Sequence, residues 1–160
     1  MSRSARVRPA TAADAQAIAA FQCAMALETE DKPLDSETVL RGVRAALADE
    51  FKGSYLVAEL DGEVVGSLFL TREWSDWRAA WFLWIQSVFT VATARGKGVF
   101  RALYDAALQR AEAAPDICGV RLYVEAENTN AQGVYAHLGM QRTSYQLFEV
   151  ECGGNTPADG

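Results

Sequence analysis

Hydrophobic and polar positions alternate between two periods along this chain, and the switches between them outline its elements. Val7-Arg8-Pro9 is a short extended entry, and Thr11 with Asp14 three residues later resembles a capping box opening a helix. Ile18, Phe21 and Met25 mark the face that helix buries. After the acidic stretch Glu28-Thr29-Glu30-Asp31, a second helix is predicted from Asp35 or Ser36, with Val39, Val43, Ala46 and Leu47 inward. The pattern then becomes β-rich over residues 55–60 and 63–71. Asp61-Gly62 between them is the strongest short-range hairpin signal, so the two runs form an antiparallel pair. Gly66 inside the second run predicts a bulge or a close backbone approach. The loop Glu73-Trp74-Ser75-Asp76-Trp77-Arg78 leads into a long strand over 80–91.

The helical period returns at Phe100, Leu103, Tyr104, Ala107, Leu108, Ala111 and Ala114, with Arg101, Asp105, Gln109 and Glu112 opposite them. Val120, Leu122 and Val124 alternate as a further strand. A last helix opens at Asn128 or Thr129, buries Ala131, Val134, Tyr135 and Leu138, and stops at Gly139. Residues 141–150 alternate again as a strand, and 153–160 form a polar tail expected to be mobile. This order predicts a mixed α/β (α+β) chain with one domain over residues 1–152. At 160 residues, half of them hydrophobic, it can bury a core without staples.

Composition narrows the function classes. A net charge of -6 argues against nucleic acid as a partner. No apolar run approaches a membrane span or the core of a signal peptide, so no membrane partner is expected and the location is read as cytoplasmic. Cys23, Cys118 and Cys152 lie far apart without metal-ligand spacing, which suits a reducing compartment and predicts no metal.

Against this acidic background the run Arg95-Gly96-Lys97-Gly98 at the start of a helix is a local positive cluster, joined by Arg101. Glycines permit a tight turn and close approach of a ligand, and the adjoining helix N-terminus presents amides and a positive dipole end. An anion, a phosphate or pyrophosphate, is the ligand this chemistry suits. A P-loop is excluded, because Val91 stands five residues before Gly96 and Gly98 follows Lys97. The dinucleotide fingerprint is excluded as well, since Arg101 stands where its third glycine belongs.

The run Arg95-Gly96-Lys97-Gly98-Val99-Phe100 resembles the acyl-CoA signature R/Q-x-x-G-x-G/A of the GCN5-related N-acetyltransferases (GNAT), departing from it at Phe100. A second stretch, from Asn128 through Ala131 and Tyr135 to Leu138-Gly139-Met140, resembles the family's N-x-x-A-x-x-x-Y-x-x-x-G-F. Two motifs in the right order are more specific than one. The layout of Glu73 to Arg78 and of Trp84 to Thr90 is similar, more weakly, to diamine and polyamine acetyltransferases.

The resemblance implies a central, mostly antiparallel sheet flanked by helices, with splayed central strands, and acetyl-CoA as co-substrate. It implies that Val88, Phe89 and Thr90 give backbone contacts to the pantetheine arm. Arg95, Gly96, Lys97, Gly98, Val99, Phe100 and Arg101 would hold the pyrophosphate, with Asn128 beside the arm. Tyr135 falls where the family places the acid that protonates the leaving thiolate. An amine acceptor must also lose a proton, and where many members carry a glutamate this chain has Gln86-Ser87. Glu73, Asp76, Glu28 and Glu30 are the candidates for that base, with Glu73 preferred. Glu28, Glu30, Asp31, Asp76, Trp84 and Gln86 are expected to line the acceptor site, which their charge suits to a small primary amine or polyamine. Acetylation of a protein N-terminus or lysine and a non-catalytic acyl-CoA sensor are the alternatives. A homodimer is allowed for. His137, the only histidine, is expected at the surface.

Overall fold

The computed structural model describes residues 4–153. The chain divides into two compact units, one ending at Leu122 and the other beginning at Tyr123. Of the tail expected at 153–160, residues 154–160 lie outside the described residues.

The first unit is a five-stranded sheet in chain order, β1 (Arg6–Pro9), β2 (Ser54–Leu60), β3 (Glu63–Ser75), β4 (Ala80–Thr90) and β5 (Ile117–Leu122). β1 to β4 pair antiparallel, and β4 pairs with β5 in parallel. That last pairing needs a crossover, which α3 (Val99–Ala113) supplies. α1 (Ala15–Glu30) follows a short 3-10 turn at Ala12–Asp14, and α2 (Ser36–Ala48) starts where Asp35 accepts a hydrogen bond from the Thr38 amide. The expected capping box is present, the Thr11 amide donating to Asp14 Oδ2 at 2.7 Å.

The helices cover both faces of the sheet. Ile18, Ala15 and Ala19 of α1 and Val43 and Ala46 of α2 pack with Tyr55 and Val57 of β2, and Phe69 closes this cluster by stacking on Tyr55 at 4.4 Å between ring centroids. On the other face Gly66 lets α3 sit close, since a Cβ there would stand 3.0 Å from Val99 Cγ1 and 2.9 Å from the Phe89 carbonyl. The close approach read from Gly66 is therefore correct. Asp61 and Gly62 both take positive φ, 51° and 84°, as the two-residue hairpin turn requires.

One boundary differs from the sequence reading. Glu73, Trp74 and Ser75 belong to β3 rather than to a loop, because the β3 to β4 ladder continues as far as Ser75 opposite Ala80. Trp77 in the turn beyond is 85% exposed and Trp74 is 51% exposed, so this tryptophan cluster is not core.

The second unit contains α4 (Thr129–His137), capped by Asn128, whose Oδ1 accepts from the Ala131 amide at 3.0 Å. Gly139 ends it with φ 90°. Ala131, Tyr135 and Leu138 are its half-buried positions, while Val134 and His137 are exposed. The strand expected at 141–150 is not formed. A strand is held by a neighbouring ladder, and these residues enter none among the described strands, whatever their own β-propensity.

Candidate active site

β4 organises the site. Its ladder with β5 ends at Ile85 opposite Leu122, yet β4 continues for five more residues to Thr90. Among the described strands none pairs with the β5-facing edge of residues 86–90, and strand amides and carbonyls left this way need a partner. On its other side β4 carries an extra residue. Ser67 faces Phe89 and Phe69 faces Gln86, so Ser87 and Val88 together oppose Leu68. Ser87 takes φ 50°, a left-handed conformation a serine adopts only under constraint. On this edge the ladder between described strands stops at Ile85, and the bulge on the other edge re-aims the strand just beyond it.

Beyond Thr90 the chain makes a 3-10 turn at Ala92–Ala94 and then the glycine turn. Gly96 and Gly98 take φ 77° and 78°, and nothing lies within 4 Å of where a Cβ would stand on either. Both glycines are needed for conformation, and the space beside them is open to a ligand. Gly98 is the N-cap of α3 and brings no side-chain cap, so the positive end of this helix is not neutralised by its own sequence.

The three cations differ. The Arg95 guanidinium donates from Nε to the Thr90 carbonyl at 3.1 Å and from Nη2 to Glu28 Oε2 at 2.6 Å, and lies over the Phe89 ring. Arg101 pairs with Asp105 one helical turn on, at 2.9 Å. Lys97 makes no ion pair among the described residues. The Glu28 pairing is a finding that residue spacing does not give: a residue expected at the acceptor site is bonded to a residue of the cofactor turn 67 positions away.

The register of β3, β4 and β5 puts Glu73, Phe82, Trp84, Gln86 and Arg121 on one face of the sheet, since directly opposed residues share a face. Phe89 is on this face too and meets Phe21 of α1 at 5.4 Å between centroids. Gln86 Nε2 donates to Thr71 Oγ1 at 2.7 Å. Arg121 donates to Glu73 Oε1 at 2.6 Å and stacks on Phe82, 3.5 Å from its centroid. The structure therefore places Glu73, Trp84 and Gln86 on one face of the sheet but separates the remaining acids. Glu28 sits at the Thr90 end of β4, Glu73 lies opposite Phe82 eight residues back, about 25 Å along the strand, and Asp76 is in the exposed turn beyond. Glu30 and Asp31 end α1 and are exposed, Asp31 in a left-handed C-cap with φ 50°.

Sequence reasoning missed Arg121 and Ser67. Ser67 is fully buried on the Phe89 face, and its hydroxyl has no hydrogen-bond partner among the described residues. A hydrophobic flanking pattern hides such a residue; only the bulge in its partner strand marks it. In the second unit, burial pushes the Tyr135 phenol above its ordinary value, so it stays protonated at neutral pH.

Comparison with known proteins agrees with this geometry. Residues 18–140 match the model of the Acetyltransferase (GNAT) family, a match that runs across both units. Among solved structures, the chain is similar to a possible acetyltransferase from Clostridium difficile 630, with 41% identity and a TM-score of 0.87 over 94% of this chain and 99% of that one. It is also similar to a ribosomal-protein-alanine N-acetyltransferase from Brucella melitensis biovar Abortus 2308, at 17% identity and TM-score 0.75, covering 94% of this chain and 100% of that one. A "predicted acetyltransferase with acetyl-CoA" from Clostridium acetobutylicum gives 16% identity and TM-score 0.74, covering 91% and 96%. At the two lower identities the likeness shows the fold alone. The comparison with curated proteins gave no significant match. The open edge of β4, the glycine turn at the start of α3 and the family match together place this chain in the GNAT family, whose members are N-acetyltransferases using acetyl-CoA as co-substrate.

Proposed function

We propose that the chain transfers the acetyl group of acetyl-CoA to the primary amine of a small cationic acceptor, by direct attack of the neutral amine on the thioester. The observation that carries this reading is the strand edge over residues 86–90 that pairs with no described strand, leading into an uncapped helix at an open glycine turn. An extended amide-bearing arm suits the first, and a pyrophosphate the second. In this reading Val88, Phe89 and Thr90 bind the pantetheine arm, and the turn from Arg95 to Arg101 binds the phosphates. Lys97 is the cation best placed to do so at once, because Arg95 and Arg101 must first release or share their carboxylates.

The acceptor amine arrives as an ammonium with a pKa of about 10.4 and must lose a proton before attack. Gln86 cannot accept it. Glu73 lies four strand positions from the register of Gln86, roughly 13 Å, and one of its oxygens is held by Arg121, so it serves as base through water. Trp84 and Gln86 on the same face form the wall the acceptor lies against, with Glu30, Asp31 and Asp76 attracting cations from further out. Tyr135, carried over from the second motif and protonated at neutral pH, supplies the proton to the departing thiolate. Asn128 caps α4, and in this reading its remaining hydrogen-bonding groups contact the arm. Three free thiols suit the reducing cytoplasm in which we place the protein.

Turnover of acetyl-CoA by the purified chain against a panel of mono-, di- and polyamines, peptide N-termini and lysine peptides tests the proposal. Activity confined to peptides would assign a protein acceptor. Cofactor binding without turnover on any amine would make the chain a sensor.

A further inference from the structure

Gly119 serves β5 through the space it leaves rather than through its backbone freedom. Its φ is not positive, yet a Cβ on it would stand 2.8 Å from Phe82 Cε1 and 3.1 Å from Cδ1. The buried ring of Phe82, directly opposite on β4, therefore occupies the place of a side chain on β5. Arg121 stands two positions further along β5 and so on the same face of the sheet. Its guanidinium carbon lies 3.5 Å from the Phe82 centroid, at stacking distance, and its Nη1 donates to Glu73 Oε1 at 2.6 Å. One side chain thus spans three strands, from β5 over β4 to β3.

The Arg121 and Glu73 side chains are 26% and 48% exposed, and an ion pair in that much water contributes little to stability. Its consequence is orientation. A planar guanidinium stacked on an aromatic ring keeps one attitude, which a lysine ammonium on its flexible stem does not. With Oε1 bonded to Arg121, Oε2 is the Glu73 oxygen left without a partner among the described residues, and the pairing fixes where it points. A second guanidinium, that of Arg78, lies 5.1 Å from the same ring centroid but forms no ion pair among the described residues. The ring therefore carries two arginines, of which one reaches the carboxylate.

We propose that Arg121 is a positioning residue for the acetyl transfer. Stacked on Phe82 in the space Gly119 leaves, it holds Glu73 Oε1 and presents Oε2 to the water through which the acceptor ammonium loses its proton. The ammonium gives its proton to that water as the water gives one of its own to Oε2. Neutral amine, water and a carboxylic acid result, and Arg121 keeps its charge throughout. The inference rests on the reading of Glu73 as the base and adds to it the device that aims one of its oxygens.

Steady-state kinetics of the full chain with a cationic amine, run as a double-mutant cycle on Glu73 and Arg121, tests this. Arg121→Gln should lower kcat several-fold, toward the value of Glu73→Gln, while the acetyl-CoA Kd by calorimetry and the thermal midpoint barely move. In the Glu73→Gln background the same change should alter kcat by no more than about twofold, because residues acting as one unit are not additive. Arg121→Lys keeps the charge and loses the stack, so it should fall with Arg121→Gln rather than with the wild type. Gly119→Ala should give the same loss by displacing the ring. Arg78→Gln touches that ring but not the carboxylate, and its kcat should stay within about twofold of wild type. Additive losses in the double variant, full activity in Arg121→Lys, or an equal loss from Arg78→Gln each overturns the proposal. A slow Glu73→Gln beside a fully active Arg121→Gln removes the positioning role alone, whereas wild-type turnover in Glu73→Gln removes the base and this role with it.

Discussion

The two ends of β4 do different work and are written differently. At the Thr90 end the functional features are backbone features: an unpaired strand edge, a bulge with φ 50° at Ser87, and glycines at φ 77° and 78° opening a helix. Toward the Ala80 end they are side chains spread over three neighbouring strands: Glu73 on β3, Trp84 and Gln86 on β4, Arg121 on β5. In the proposed function the backbone features bind what enzymes of this type share, an extended amide arm and a pyrophosphate. Side-chain features select what differs between them. The contrast implies that changes near Thr90 are felt first in acetyl-CoA affinity, and changes along the Glu73 face in the acceptor's specificity constant.

Substitution of Tyr135 should give the largest effect. Tyr135→Phe keeps the ring and removes the proton donor, so kcat should fall by roughly 10²–10⁴-fold while acetyl-CoA affinity barely changes. Because burial raises this phenol, the wild-type kcat profile should show its alkaline limb above pH 10, and the Phe variant should lack it. Near-wild-type turnover with chemistry rate-limiting would make Tyr135 a packing residue.

Gly98→Val should come next. A branched side chain at φ 78° costs about 1–2 kcal/mol or forces the turn to rearrange, so acetyl-CoA affinity should drop roughly tenfold or more by calorimetry. Glu73→Gln removes the proposed base, so kcat/KM should fall for every amine that must be deprotonated, by at least the several-fold that ~1 kcal/mol of solvent-screened charge contributes toward a cationic one. An unchanged specificity constant for every amine would remove Glu73 from the acceptor side.

Glu28→Gln should have the smallest effect and the most informative sign. Releasing Arg95 from an exposed ion pair worth about 0–1 kcal/mol should tighten acetyl-CoA binding up to about fivefold, with the amine KM unchanged. A raised amine KM with constant cofactor affinity would return Glu28 to the acceptor site.

The same contrast explains what was legible in the sequence. The Asp61-Gly62 hairpin, the glycine turn, the α3 stripe and the Asn128 cap depend on neighbours within a few residues, so local chemistry specifies them. The pairs Arg95 with Glu28 and Arg121 with Glu73 join residues 67 and 48 positions apart, and spacing carries no information about them. Their consequence is that five acids grouped by charge alone are dispersed along β4 in space. The bulge at Ser87 and Val88 was hidden for a related reason, since a register shift is a property of two strands. The strand expected from the alternation in 141–150 is not formed, since pattern alone does not supply the ladder that makes a strand.

The central claim is that the gap beside β4 and the turn at α3 hold the cofactor through the backbone. Amide hydrogen exchange with and without acetyl-CoA tests it most directly. Exchange should slow by at least tenfold in residues 86–90 and 96–101 and stay unchanged in the hairpin tip over 72–79. Binding detected by calorimetry with no slowing in those two stretches, or slowing centred on the tip instead, would contradict it.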